Sequence, residues 1–290
     1  MNYFLHILAL IGIFSICATG SNVLTGYAGL VSLAQASFFG IGAYTAALMA
    51  LDLNAPFAVG LGASLACGAF AAIFIAFVSL RLSHDYFVIA TISFQFIVWS
   101  VFNNWQTVTR GAFGIPGIPP LPFARSTIQS KWAVTLAILG CAAIALYFCK
   151  RIEKSAYGRV LKAIREDERF AQSLGKNTAK FKISAFAVSG AFAGVAGCIY
   201  AHFSTFIDPT SFSISESVFI LSIVIVGGAG TLWGVPVGAI VLVALPELLR
   251  FAGFQSVPAA NFRQILFGSL LILMLMIRPR GLVGKFDMGR

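Results

Sequence analysis

Charged residues are distributed very unevenly along this chain of 290 residues. Ten of its twenty lysines and arginines lie within residues 150–182, a segment that we call the cationic platform. Long stretches elsewhere contain no Lys, Arg, Asp or Glu; they are 1–51, 53–80, 86–109, 132–149, 183–207 and 217–246. A helix needs about 20 apolar residues to cross the hydrocarbon of a bilayer, and a charge at its centre costs about 2.5–3.5 kcal/mol. The pattern therefore predicts membrane-crossing helices on both sides of a charged platform.

Composition supports a membrane protein. Hydrophobic residues make up 59% of the chain, charged residues only 10%, and the mean hydropathy is +0.90, which lies outside the range of soluble domains. We predict an all-α fold, a polytopic bundle of about 8–10 transmembrane helices forming one domain over residues 1–290. The predicted spans are 3–19, 30–51, 57–80, 86–107, 131–149, 183–206, 214–228, 232–250 and 264–277.

The positions of the cations predict the topology. Because Lys and Arg accumulate on the cytoplasmic side of membrane proteins, both the platform and the C-terminal tail after residue 277 should be cytoplasmic. The Gly- and Pro-rich segment 110–130 then falls outside, where it caps the pore, meets an external partner or serves as a simple connector. The same rule explains the net charge of +10, so we do not expect nucleic acid as a partner.

Two clusters of glycine fall within or beside the predicted spans. The first comprises Gly26, Gly29, Gly40 and Gly42, and the second Gly227, Gly228, Gly230 and Gly234. Glycine at membrane depth either lets helices pack closely or permits an interrupted helix that lines a cavity. Corresponding interruptions in two halves of a transporter are typical of an internal repeat around a substrate path.

No catalytic constellation is evident in the sequence. The three histidines are scattered, and the five cysteines lie in apolar stretches without paired spacing, so we expect neither a metal site nor disulfides. The glycine-rich loop that cradles nucleotide phosphates is also missing from the sequence. We therefore expect a chain that is not an enzyme and binds no cofactor of its own.

Uncharged polar residues within the spans are candidates for a translocation path. They are Ser32, Gln35 and Ser37 in the second span, Thr91, Ser93 and Gln95 in the fourth, and Ser222 in the seventh. Such groups offer hydrogen bonds to a small zwitterion or neutral solute without trapping it. Hydrogen bonding between helices is the alternative role for each of them.

The platform contains an amphipathic pattern. Apolar residues recur near helical spacing among charges, at Val160, Leu161, Ile164, Ala171 and Leu174, and Gly175 ends the pattern. We predict one short amphipathic helix outside the membrane. Basic amphipathic helices can lie on lipid headgroups, but the interleaved acids at residues 166–168 favour a groove in a partner protein.

Several segments resemble a known family. They are Leu-Thr-Gly-Tyr-Ala-Gly-Leu and the residues after it at 24–44, Asp-Tyr-Phe-Val-Ile-Ala-Thr at 85–91, the platform at 158–177, Val-Gly-Gly-Ala-Gly-Thr-Leu-Trp-Gly at 226–234, and Arg-Pro-Arg-Gly-Leu-Val-Gly at 278–284. In this order and spacing, over about residues 20–285, the chain resembles the LivM-type permease subunits of ABC importers for branched-chain amino acids.

The resemblance implies a subunit of the bacterial inner membrane. Its partners would be a related, LivH-like permease subunit, two cytoplasmic ATPase subunits that bind ATP and magnesium, a periplasmic or extracellular substrate-binding protein, and membrane lipid. Relatives of this type also serve urea, short amides and other amino acids. A self-sufficient secondary carrier for a small neutral solute is the alternative, but such a carrier needs no ATPase dock.

The resemblance also implies a coupling helix around residues 165–175. ABC importers generally carry a Glu-Ala-Ala-x-x-x-Gly pattern there. Ala171 and Gly175 match its third and seventh positions, Arg169 and Phe170 depart from the first two, and Glu168 stands one place early. The candidate coupling residues are Arg165, Glu166, Asp167, Glu168, Ala171 and Gly175.

Overall fold

The computed structural model describes residues 2–82, 84–121, 131–251, 268–269, 272, 276 and 281–283. Within these residues there are eleven α-helices: α1 (Asn2–Asn22), α2 (Gln35–Leu51), α3 (Phe57–Ser79), α4 (His84–Asn104), α5 (Gln106–Thr109), α6 (Lys131–Lys154), α7 (Ala156–Glu166), α8 (Glu168–Ser173), α9 (Thr178–Ser204), α10 (Ile214–Gly227) and α11 (Gly234–Phe251). A two-stranded antiparallel sheet pairs β1 (Ile115–Pro116) with β2 (Phe206–Ile207).

Helix length and composition confirm the predicted fold class. Among the described residues, five helical stretches are long and apolar enough to cross a membrane: Tyr3–Tyr27, Phe57–Ser79, Tyr86–Asn104, Lys131–Lys154 and Thr178–Ser204. Three shorter apolar helices accompany them, at Gln35–Leu51, Ile214–Gly227 and Gly234–Leu245. The chain is therefore an all-α, multi-pass membrane bundle. The ninth predicted span and the C-terminal tail lie largely outside the described residues.

The predicted second span, 30–51, is wrong at its start. Helix α1 continues through a wide π-turn (Val23–Tyr27), and residues 28–34 are not helical before α2 begins at Gln35. Gly29 has a φ of 71°, a conformation that a side chain would strain. Thr25 Oγ1 donates to the carbonyl oxygen of Leu30 at 3.2 Å, which holds the chain in this turn. The segment is an interruption between two helices.

Helix α9 begins at Thr178, earlier than the predicted residue 183. The side chain of Asn177 accepts a hydrogen bond from the backbone N–H of Lys180 at 3.2 Å, so it caps the helix. Two platform lysines, Lys180 and Lys182, consequently belong to the first turns of α9.

Helix α9 packs at van der Waals distance against α2 and α3. A Cβ at Gly42 would overlap the carbonyl oxygen of Gly194, and one at Gly68 would overlap that of Gly190. Gly40 packs instead against the rings of Phe102 and Phe212. Of the two roles predicted for these glycines, Gly40 and Gly42 therefore have the close-packing one.

The described part of the predicted external loop is folded onto the connection between α9 and α10. Ile115 pairs with Ile207 in the small sheet, and the N–H of Ile118 donates to the carbonyl oxygen of Thr205 at 3.2 Å. Ile115 and Ile118 are buried. The loop is thus fixed to the bundle through residue 121, and residues 122–130 lie outside the described part.

Candidate functional site

The two predicted glycine clusters meet in space, at a place that we call the glycine crossing (residues 22–30 and 227–234). The side chain of Asn22 accepts from the N–H of Gly230 at 2.8 Å and donates to the carbonyl oxygen of Thr231 at 3.2 Å. A Cβ at Gly26 would overlap the backbone nitrogen of Gly230. The ends of α1 and α10, which lie about 200 residues apart in sequence, are therefore joined by the side chain of Asn22, and their backbones lie in direct contact at Gly26 and Gly230.

The second cluster forms the turn between α10 and α11. Gly228 follows α10 with a φ of 115°, and Thr231 Oγ1 donates to its carbonyl oxygen at 2.7 Å. Gly227 and Gly234 then face each other so closely that a Cβ on either would overlap the other's backbone. The N–H of Leu282, near the C-terminus, donates to the carbonyl oxygen of Val226 at 2.9 Å, so a non-helical segment of the C-terminal region also packs on this turn.

Arg165 of the platform contacts both halves of the glycine crossing. Its Nη1 donates to the carbonyl oxygen of Gly26 and lies 3.1 Å from the position that a Cβ would take at Gly230. Its Cγ lies 2.8 Å from the corresponding position at Gly29. Burial lowers the pKa of the Arg165 guanidinium from its ordinary value, yet an arginine remains protonated in proteins. A permanently charged side chain thus lies against both halves of the glycine crossing.

Helix α7, which carries Arg165, is anchored to the first interrupted helix. Its buried face consists of Gly158, Leu161 and Ile164. Lys162 Nζ lies 3.0 Å from Glu153 Oε1 at the end of α6 and 5.2 Å from the centre of the Tyr27 ring. A displacement of α7 would therefore move the Lys162 side chain against Tyr27 in the π-turn.

The prediction of one continuous amphipathic helix is wrong, because the chain breaks at Asp167. This residue has extended backbone angles (φ −151°, ψ 106°), and its side chain accepts from the N–H of Phe170 at 3.0 Å. It thereby ends α7 and caps α8. Of the candidate coupling residues, Arg165 and Glu166 belong to α7, whereas Glu168 and Ala171 belong to α8.

Helix α8 is fixed on one side and exposed on the other. Ala171 is buried, and Glu168 Oε2 forms an ion pair with Lys182 Nζ at 2.6 Å. Gly175 ends the segment with a φ of 76°, as its position in the pattern predicts. Phe170 and Leu174 are 60% and 62% exposed. The helical spacing placed Leu174 on the same apolar edge as Ala171, but in the structure Ala171 is buried and Leu174 is exposed.

Five of the path candidates converge at the start of α2. Gln95 Oε1 on α4 accepts from the N–H of Ser37 at 2.8 Å and from Ser37 Oγ at 2.7 Å. Ser217 Oγ on α10 donates to the same oxygen at 3.2 Å and accepts from the N–H of Ala36 at 2.9 Å. The first N–H groups of a helix have no partner within it, and here neighbouring helices supply those partners.

Gln35, the first residue of α2, lies beside this arrangement. Its Nε2 donates to Ser189 Oγ on α9 at 2.5 Å, whereas its fully buried Oε1 has no hydrogen-bond partner among the described residues. Next to it, Thr91 Oγ1 accepts from the N–H of Leu33 at 3.3 Å, and Ser32 Oγ accepts from that of Ala34 at 3.3 Å. We call the set Ser32, Gln35, Ser37, Thr91, Gln95, Ser189 and Ser217 the polar cluster.

Two path candidates do not belong to the polar cluster. Ser93 is exposed and bonds to Ile89 of its own helix, and Ser222 is buried and bonds to Val218 of its own helix. Ser189 and Ser217, conversely, belong to the polar cluster although they were not among the predicted path residues. Both lie within predicted spans as uncharged polar residues, so the same criterion would have found them. Within the described ranges, no three His, Cys, Asp or Glu side chains are grouped as metal ligands.

The helical bundle, its interrupted helices and its buried uncharged polar cluster define a membrane permease. A family model described as the permease component of branched-chain amino acid transport systems matches residues 3–275. The chain belongs to this family.

Named relatives agree with this assignment. The chain is 34% identical to the high-affinity branched-chain amino acid transport system permease protein LivM of Salmonella typhimurium, over 93% of this chain and 68% of the relative. The LivM protein of Escherichia coli is 33% identical over the same shares. The LivH permease protein of Salmonella typhimurium is 27% identical over 94% of this chain and 91% of the relative. No solved structure matches the chain.

Proposed function

We propose that this chain is a permease subunit of an ABC importer that carries branched-chain amino acids across the bacterial inner membrane. The contact of Arg165 with the glycine crossing carries the proposal. Through this contact the cationic platform, which cannot enter hydrocarbon, is linked to the glycine crossing, where two interrupted apolar helices meet. An energised permease needs such a link, whereas a secondary carrier does not. The branched-chain amino acid systems to which the LivM relatives belong support the solute class.

The proposed assembly contains four kinds of subunit. A second, related permease pairs with this chain, and the match to LivH over nearly the full length supports a partner of the same fold. Two cytoplasmic ATPase subunits bind ATP and magnesium, and an extracytoplasmic binding protein delivers the solute. The platform and the C-terminus face the cytoplasm, in accord with their Lys and Arg content.

Coupling would run from α8 through α7 to the crossing. The exposed side chains of Phe170 and Leu174 dock in the ATPase, and the ion pair of Glu168 with Lys182 keeps α8 on the end of α9. Movement imposed on α8 reaches α7 across Asp167 and then the crossing through Arg165. Because Arg165 contacts both halves of the glycine crossing, a movement of Arg165 would displace both halves together.

The polar cluster would form the translocation path. Its side chains cap the start of α2 in this closed arrangement, and they exchange these partners for the solute when α4 and α10 move away. The unpartnered Oε1 of Gln35 offers an acceptor to the ammonium group of an amino acid, and serine hydroxyls offer donors to its carboxylate. Because the cluster contains no charged side chain, a zwitterion passes without being held.

Uptake of labelled leucine, urea and acetamide by cells with the complete operon tests the function. We expect leucine to be taken up, and uptake to vanish when the ATPase genes are deleted. Leucine uptake that persists without the ATPases would establish a secondary carrier. Uptake of urea or acetamide instead of leucine would overturn the solute class and leave the ABC assignment intact.

A pair of variants tests the docking of α8. We expect Phe170→Glu to abolish co-purification with the ATPase subunits, because it places a charge in an apolar contact. Phe113→Glu is the matched control, since Phe113 is 90% exposed in the segment that we assign to the opposite side. Equal retention of the ATPases by both variants would contradict docking through α8.

A further inference from the structure

Helix α6 leaves one face uncovered along the whole of its length. Leu136, Ile144 and Tyr147 on this face are 63%, 58% and 53% exposed. Lys150, Arg151 and Lys154 continue the same face at intervals of three and four residues, and all three are exposed. An apolar stripe thus leads, through a tyrosine, into a group of three cations. This sequence of groups matches a phospholipid read from its acyl chains to its headgroup.

The cations line an open groove. Tyr147, Lys150, Arg151, Lys154 and Ser155 enclose a volume of about 480 Å³. Arg151 is held in position within it, because its Nε and Nη2 donate to the Tyr147 hydroxyl at 3.0 and 2.8 Å. The guanidinium carbon lies 5.5 Å from the centre of the same ring. The remaining N–H groups of Arg151 stay available to a ligand.

No carboxylate of the described residues neutralises these cations. Glu153, the acid nearest in sequence, pairs with Lys162 at 3.0 Å. In the part of the chain that the structure describes, Lys150, Arg151 and Lys154 take part in no ion pair. Three positive charges therefore lie together at the end of a membrane-crossing helix, with no carboxylate partner among the described residues.

We propose that this groove binds the phosphate headgroup of an anionic phospholipid, whose acyl chains lie along the exposed face of α6. A phosphate oxygen pair suits the positioned guanidinium of Arg151, and Lys150 and Lys154 act as flanking point charges. The apolar face that leads into the groove selects a lipid over an acidic peptide, which would leave Leu136 and Ile144 uncovered. The proposal requires only that α6 crosses a membrane, so it does not depend on the transported solute.

The test measures lipid binding to the delipidated full-length chain in detergent by native mass spectrometry. We expect phosphatidylglycerol to bind in preference to phosphatidylcholine. One cation beside an anionic lipid surface contributes about fivefold in affinity. The triple substitution K150Q/R151Q/K154Q should therefore weaken phosphatidylglycerol binding by tens of fold, up to about a hundredfold. Its thermal unfolding should match that of the unaltered chain.

A matched control removes three other exposed cations of the platform. The substitution R169Q/K176Q/K180Q changes the net charge equally, but these side chains do not continue a long apolar face. We expect it to leave phosphatidylglycerol binding unchanged. An equal loss in both triple variants, or equal binding of the two lipids, would overturn the proposal, because either result would mean that net charge alone attracts the lipid.

Two further measurements are directed at the geometry of the groove. Tyr147→Phe removes the hydroxyl that accepts both hydrogen bonds of Arg151 without changing charge. We expect a loss of about threefold, because the guanidinium stays in the groove but is no longer held in position. A photoreactive residue in place of Lys150, in the assembled transporter, should cross-link to lipid. Cross-linking to a protein subunit instead would show that a partner covers the groove, and the proposal would fail.

Discussion

The replacement Arg165→Ala should uncouple ATP hydrolysis from uptake. It removes the hydrogen bond donated to the carbonyl oxygen of Gly26 and the aliphatic stem that covers Gly29. A hydrogen bond from a charged group contributes about 1.5–3 kcal/mol. This corresponds to about 10- to 150-fold in any equilibrium that the bond controls. We therefore expect leucine transported per ATP hydrolysed to fall at least about tenfold in proteoliposomes that contain the complete transporter.

Two companion variants make this prediction specific. Arg159 lies on the same helix and is exposed, and its side chain donates only to the carbonyl oxygen of Lys154 among the bonds that the structure describes. Arg159→Ala should consequently leave the transport ratio unchanged. Arg165→Lys keeps the charge but loses the planar fork, so we expect partial recovery. The reasoning is refuted if Arg165→Ala and Arg159→Ala give the same ratio, or if Arg165→Ala releases the ATPase subunits from a folded permease.

Three further sites, Gln95, Gly42 and Gly175, give testable substitutions, and the first two have matched controls. Gln95→Leu leaves buried donors without their acceptor, at about 1–3 kcal/mol each, so it should lower both stability and uptake. Ser93→Ala is the control and should change neither. Similar uptake in the two variants would show that the polar cluster does not form the path. Gly42→Ala should lower the free energy of unfolding in detergent by about 1–3 kcal/mol, because it overpacks a helix contact. Gly62 has open space around it, so Gly62→Ala should raise the free energy of unfolding by up to about 1 kcal/mol. A Gly42→Ala variant more stable than Gly62→Ala would contradict the close contact at Gly42. Gly175→Ala should cost about 1 kcal/mol through its positive φ and speed amide exchange at the end of α8, and unchanged exchange would argue against the strained turn.

The spans were predictable because the penalty for a charge in hydrocarbon is large and acts residue by residue. The interruption between α1 and α2 was not predictable in the same way. Residues 28–34 are nearly as apolar as the helices beside them. The N–H of Leu33 donates to Thr91 on α4, and that of Ala36, at the start of α2, donates to Ser217 on α10. Such partners lie far away in sequence, so local composition carries no trace of them.

The platform shows the same division. The helical period placed Leu161, Ile164 and Ala171 on one apolar edge, and in the structure these three side chains are buried within the chain itself. It could not reveal the break at Asp167, because aspartate occurs both within charged helices and at helix starts. Nor could it show that Arg165 reaches Gly26, which lies 139 residues away.

Residue type alone selected the polar candidates, and geometry then divided them. Gln95 and Ser93 are two positions apart on α4, which is a rotation of about 200° around a helix. Gln95 consequently faces α2 and α10, whereas Ser93 is exposed. A span that is apolar on nearly every side gives no sequence signal for which of its faces turns inward.

The glycine contacts of α9 restrict how this bundle can change shape. At Gly42, Gly68 and Gly197 the backbones of neighbouring helices meet with no side chain between them, so sliding by one residue would drive a larger group into a carbonyl oxygen. Helices α2, α3 and α9 must then behave as a single rigid block. Opening and closing is then left to α4 and α10, which border α2 through the exchangeable hydrogen bonds of Gln95 and Ser217.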